Sequence, residues 1–205
     1  MEDLFDQTTI DGMTLRNRLV RSASWERMCQ QDGRPTEKLN NWYRDLARGT
    51  GLIISGYTYV RPEGQQLPCK MGIYTDDFER NFESLTSTVH DTGGQADAKA
   101  IGRQPLAPSA VQVDQFPEMP SELTKDEIAD IVRAFAEGAR RAKTWGFDAV
   151  QLHGAYGYLI NQFLSPLTNR RTDEYGGDVD NRCRFLIEKK MREKAAKMKD
   201  AVEDN

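Results

Sequence analysis

Three stretches of the chain repeat apolar side chains at helical spacing, and short apolar runs fall between them, the alternation expected of strands that feed helices. Residues 35–48 place Leu39, Trp42, Tyr43 and Leu46 along one side of a predicted helix. A Gly-Leu-Ile-Ile-Ser run at 51–55 follows, of the kind that fills buried parallel strands. Residues 76–90 form a second predicted helix with Phe78, Phe82, Leu85 and Val89 as its stripe; Asp76 and Glu79 have capping-box spacing, and Gly93 and Gly94 end it. The clearest helix begins at Thr124, with Glu127 completing a capping box. It carries Ile128, Ile131, Val132, Phe135, Ala139, Ala142 and Trp145, and Gly146 closes it. Residues 147–152 read as a strand that ends at His153, and 179–202 as a last helix. Ahead of all these, Asp11-Gly12 signals a hairpin turn and 18–22 an extended segment.

This alternation implies a parallel sheet with right-handed crossovers. About four strand–helix units are present, where a closed eight-stranded barrel of parallel strands needs ~250 residues. The expected fold class is therefore α/β, TIM-barrel-like and incomplete, with residues 1–205 forming a single partial barrel domain. The weak point is 95–102, where Asp97 and Lys99 stand in a segment that should be an apolar strand, so a damaged or deleted third strand is expected.

Composition narrows the function classes. Twenty-eight Lys plus Arg against 32 Asp plus Glu give a net charge of −4, which argues against nucleic acid or an anionic membrane as the main partner. No run has the length and apolarity of a membrane span, and the acidic N-terminus is unlike a signal peptide. Cys29, Cys69 and Cys183 are scattered and odd in number, the usage of reduced thiols, so a cytoplasmic setting is expected. With only His90 and His153 available, no metal site is expected.

Chemistry in such sheets collects where the strands end. The densest such segment is His153-Gly-Ala-Tyr156-Gly-Tyr158, which sets an imidazole and two phenols beside glycines. An imidazole can hold a substrate oxygen, and a phenol can give a proton to a developing carbanion. From the residues alone, the same side chains also suit a hydrogen-bonded loop with no chemistry.

The segment continues as HGAYGYLINQFLSPLTNRRTDEYGG and then Asn181-Arg182, and over that length it resembles the old yellow enzyme family of FMN-dependent NAD(P)H oxidoreductases. LFDQTTIDGMTLRNRLVRSAS, LIISGYTYVRPEG and LTKDEIADIVRAFAEGARRAKTWGFDAVQLH are similar to that family's N-terminal half. The resemblance implies flavin contacts at Ser22, Ala23 and Ser24 and at Gly56 and Tyr57. It implies that His153 holds the substrate's carbonyl oxygen, with Tyr156 at the second oxygen-binding position, and that Tyr158 is the proton donor. NAD(P)H would be the reductant and a small electrophile such as an enone the substrate. The family's flavin-contacting Gln on the third strand has no counterpart in 95–102, with Gly102-Arg103-Gln104 as a remnant of the next loop, and Trp25 replaces a residue that tunes the flavin.

Phosphate loops after the seventh and eighth strands would normally anchor FMN, so weak flavin binding is expected of four units alone. Asp173, Tyr175, Asn181 and Arg182 are expected to be structural, and so are Asn17 and Arg18, with the alternative that an arginine near a flavin-binding strand stabilises a reduced anionic ring. A second reading is a non-catalytic half barrel, acting as a structural or interaction module or left as a non-functional fragment. Its open edge would favour self-association or pairing with a complementary half.

Overall fold

A computed structural model describes residues 3–101, 106–112 and 119–188. The predicted hairpin forms from β1 (Thr8–Ile10) and β2 (Met13–Leu15), antiparallel with Ile10 opposite Met13. Its turn passes through Asp11 and Gly12 at φ 46° and 85°, the left-handed pair that an Asp-Gly hairpin favours.

Strand β3 (Val20–Arg21), helix α1 (Glu37–Ala47), strand β4 (Leu52–Tyr59), the short β5 (Met71–Gly72) and helix α2 (Glu79–His90) follow. Then come β6 (Gln95–Ile101), a small parallel pair β7 (Leu106–Ala107) and β8 (Ser121–Glu122), α3 (Lys125–Thr144), β9 (Ala149–Leu152), α4 (Leu159–Leu164) and α5 (Val179–Ile187). Strands β3, β4, β6 and β9 lie side by side in that order, all parallel, with β5 added to the end of β4. Parallel pairing puts their C-terminal ends at one edge of the sheet, where a site can be assembled from several strands.

The helices cover one face of this sheet. Tyr43, Phe82, Leu85, Val89, Ile128 and Phe135 bury their side chains in a shared core with Ile53, Ala96 and Ala98. All of the stripe named for the third predicted helix is buried, as is that of the second. In α1 the stripe is narrower than expected: Leu39, Tyr43 and Ala47 are buried while Trp42 is 42% exposed, since spacings of three and four carry the buried face past position 42.

Two sequence expectations are corrected. The third strand is neither deleted nor damaged: β6 spans seven residues and pairs with β4 on one side and β9 on the other. Backbone hydrogen bonds to two neighbours fix a central strand whatever its side-chain polarity, and Ala96 and Ala98, alternating with Asp97 and Lys99, are small enough to lie close under the helices. The capping box at Asp76 and Glu79 is also absent. Thr75 accepts from the Asp77 amide, and the Asp76 carboxylate instead takes Arg141 at 2.7 Å and Arg140 at 3.0 Å from α3. The box at Thr124 and Glu127 does form, with both reciprocal bonds made, and Gly146 follows α3 at φ 87°.

Residues 102–104 and the last predicted helix beyond 188 lie outside the described residues. Among the described residues, no helix is long and apolar enough to cross a membrane.

Candidate active site

Strand β4 builds the first wall. Its pairing with β6 runs Leu52–Gln95, Ile53–Ala96, Ile54–Asp97 and then jumps to Tyr57–Lys99, so β4 carries one residue more than its partner between Ile54 and Tyr57. Such a bulge bends a strand and re-aims the side chain that follows. The freed Gly56 amide donates to the Tyr43 hydroxyl at 3.1 Å, and that hydroxyl donates to Glu26 at 3.2 Å. Glu26 is in turn paired with Arg21 at 2.6 Å, and Arg21 donates to the Ile54 carbonyl at 3.1 Å. Burial raises the Glu26 carboxyl above the ordinary carboxylate range, with the Arg21 charge opposing it.

Glycine at position 56 is required by close approach. A Cβ there would sit 2.6 Å from the Ser24 carbonyl oxygen and 2.6 Å from Glu26 Oε2. The five residues to which the resemblance assigns flavin contact therefore form one patch where β3 and β4 meet. Ser22 and Ser24 are exposed there, Ala23 and Tyr57 are half-buried, and Gly56 is buried.

The second wall follows β9. His153 is only 4% exposed. Tyr156 and Gly157 adopt φ of 57° and 73°, a sharp left-handed turn that a tyrosine rarely makes. Residues of α4 hold it, since the Gly157 amide donates to Asn161 Oδ1 and Gln162 Nε2 donates to the Gly157 carbonyl, each at 2.9 Å. The turn leaves Tyr156 71% exposed and Tyr158 half-buried at the start of α4.

The two walls meet in an aromatic cluster. The Tyr57 ring stacks on His153 with centroids 5.0 Å apart, Tyr158 lies 4.9 Å from His153 and 5.8 Å from Tyr57, and Tyr156 lies 5.7 Å from His153. Burial, and next the neighbouring Tyr57, raise the Tyr158 phenol above its ordinary value.

The remaining polar residues of the signature brace the scaffold. Arg171 is buried, donates to the Pro108 and Leu123 carbonyls at 2.9 and 2.6 Å and pairs with Asp173 at 2.6 Å. Arg182 donates to the Leu164 carbonyl, and Asn17 bonds the Gly49 carbonyl and the Leu19 amide. Sequence reasoning missed the Arg21–Glu26–Tyr43 chain behind the bulge, and also Lys70, whose ammonium lies 5.6 Å over the Tyr57 ring. Nothing in their spacing marks them, because the contacts join residues far apart in the chain.

Known proteins resemble this chain over most of its length. The model of the NADH:flavin oxidoreductase / NADH oxidase family matches residues 3–197. The chain is 41% identical over 199 residues to an NADPH dehydrogenase of Geobacillus sp. (strain WCH70), covering 90% of this chain and 57% of that protein. It is 38% identical over 200 residues to an NADH oxidase of Thermoanaerobacter brockii, covering 91% of this chain and 31% of that one. Among solved structures, the old yellow enzyme homologue from Zymomonas mobilis superposes with a TM-score of 0.87 at 34% identity, covering 96% of this chain and 60% of that one. Morphinone reductase in complex with tetrahydroNAD gives 0.87 at 30%, covering 97% and 61%. The chain thus spans little more than half the length of several of these relatives. It belongs to the NADH:flavin oxidoreductase / NADH oxidase family.

Proposed function

We propose that this chain carries the substrate-binding and proton-donating part of an FMN-dependent NAD(P)H oxidoreductase of the ene-reductase type, folded as one partial barrel. The observation that carries the reading is the cluster at the C-terminal edge of the sheet, in which a buried imidazole and three phenol rings lie within 6 Å of one another in successive pairs.

The chain's own residues suit one edge of a flat flavin ring. Ser22 and Ser24 are exposed at the end of β3, beside a Gly56 with no side chain to intrude. FMN held there would supply the redox chemistry, the relay of hydride from NAD(P)H to the β-carbon of an activated alkene such as an enone. The His153 imidazole donates to the substrate's carbonyl oxygen and steadies the negative charge that grows there. Tyr156 adds a second donor to that oxygen. The Tyr158 hydroxyl then gives its proton to the α-carbon. The tetrahydroNAD complex of morphinone reductase supports the choice of a nicotinamide reductant.

A second reading rests on the outer strands. Among the described residues β3 pairs only with β4 and β9 only with β6, so both outer edges offer unpaired backbone groups to another chain. A second copy or a complementary half barrel would complete the sheet there.

The deciding experiment is visible absorbance of the purified chain with added FMN, followed by gel filtration. A co-eluting flavin band supports the first reading, and its elution volume reports whether the binding species is one chain or an assembly. Flavin that separates completely at high FMN removes catalysis by this chain alone.

A further inference from the structure

Lys70 is a residue that the proposed mechanism does not use. It directly precedes β5, which pairs with the C-terminal end of β4 through Thr58–Met71 and Tyr59–Gly72. The residue before it, Cys69, has φ 60°, a conformation that non-glycine residues seldom adopt. Lys70 is 3% exposed. Its ammonium donates to Gln66 Oε1 at 3.1 Å and lies 5.6 Å from the centroid of the Tyr57 ring that stacks on His153.

An ammonium carries three donors and a full charge, and charges held this deep are normally paired with an opposite charge. Here the described partners are one neutral amide oxygen and one ring face. Burial lowers the Lys70 pKa. Gln66 is half-buried, and a ligand oxygen that displaced its side chain would take the same place against the ammonium. A carboxylate arriving there would supply both the missing charge and further acceptors.

We infer that Lys70 is a specificity-determining cation of the aromatic site, selecting ligands that bear a carboxylate next to the ring or enone engaged by His153 and Tyr158. The inference rests on the reading of the cluster as a substrate site, and its test separates the two.

The test is calorimetric titration of the full chain with 4-hydroxybenzoate and with the neutral 4-hydroxybenzamide, in the wild type, Lys70→Met and Lys70→Arg. The carboxylate should bind at least about tenfold tighter than the amide in the wild type. The ratio should fall to near one in Lys70→Met and be largely kept in Lys70→Arg. Added salt should reduce it only modestly, since buried charges are weakly screened. Equal binding of both ligands to the wild type, or a ratio unchanged in Lys70→Met, overturns the role of Lys70 and leaves the aromatic site standing. Failure of both ligands to bind removes the site and the inference together. Should Lys70→Met not fold, the wild-type ratio and its retention in Lys70→Arg still decide the matter.

Discussion

The Tyr57 ring lies nearly flat against the His153 imidazole, with centroids 5.0 Å apart and planes 26° from parallel. The first side chain follows the bulge of β4 and the second follows β9, two strands away across β6. No ring fits between them at that spacing, so on the proposed reading a flat ligand would meet His153 at its edge, with Tyr57 as the backing that fixes the imidazole plane. Aromatic pairs of this kind contribute about 1 kcal/mol, or roughly fivefold in affinity. Tyr57→Leu should therefore weaken binding of a neutral phenol by about fivefold, and Tyr57→Phe should restore it. Tighter binding in Tyr57→Leu would mean that Tyr57 blocks the site.

Tyr158→Phe should separate the two half-reactions if the loaded protein turns over. Reduction of flavin by NAD(P)H should be nearly unchanged, while reduction of the alkene should slow by a factor of about 100 or more, the usual scale of a lost general acid. Stopped-flow measurement of each half-reaction checks this, and an equal loss in both would remove Tyr158 from the proton-donor position. His153→Ala should raise the Kd for phenols by about tenfold or more, since a charge-stabilising hydrogen bond contributes about 1.5–3 kcal/mol.

The contrast between what sequence and structure each reveal follows from contact range. The stripes of the second and third helices, the Thr124 box, the Asp11-Gly12 turn and the strand ending at His153 are local, and each was legible from spacing alone. β6 was not legible, because its stability comes from β4 and β9, which lie dozens of residues away on either side in sequence. The site divides in the same way. His153, Tyr156 and Tyr158 share one short motif, whereas the stack on Tyr57, the Tyr43 hydroxyl under Gly56 and the ammonium of Lys70 exist only once the strands are side by side.

Tyr43→Phe tests the support beneath the bulge. The substitution keeps the ring in the core but removes the acceptor of the Gly56 amide and a donor to Glu26. A buried group left without its partner costs about 1–3 kcal/mol, so the urea midpoint should fall by that amount divided by the m-value. A midpoint within error of the wild type would mean that water replaces the hydroxyl and that the bulge is held by the Arg21 contact to the Ile54 carbonyl alone.

Arg171 offers a second measure of scaffold stability, at the opposite end of the signature. Its side chain is 5% exposed and joins the Pro108 and Leu123 carbonyls to Asp173. The Arg171 guanidinium beside Asp173 holds that carboxyl below its usual range, mainly through their hydrogen bond. Arg171→Met should destabilise the fold by about 3–5 kcal/mol, because Asp173 loses its charge partner and two carbonyls lose their donor. Double substitution with Asp173→Asn should recover part of that loss.

Far from the site, His90 at the end of α2 bonds Asp148 at 2.8 Å, just ahead of β9, and Asp148 also accepts the Ala96 amide at 2.8 Å. That hydrogen bond raises the His90 pKa, with burial opposing it and the charges of Asp148 and Asp91 adding to it. A group whose folded pKa lies above its unfolded value contributes stability that is fully present below the unfolded pKa and is lost as pH rises through the folded one. The window therefore opens near the ordinary imidazole value of about 6.5 and extends upward. His90→Gln keeps a hydrogen-bonding side chain but cannot titrate. Wild type should be more stable than His90→Gln at about pH 5.5, and the gap should shrink by about pH 8.5. With the side chain 36% exposed, solvent limits the effect to the surface-pair range of about 0.2–1 kcal/mol. Thermal melts of both proteins across that range check the sign. A gap that widens with rising pH would mean that the neutral imidazole is the better partner for Asp148, and that the tie between α2 and β9 owes nothing to His90 charge.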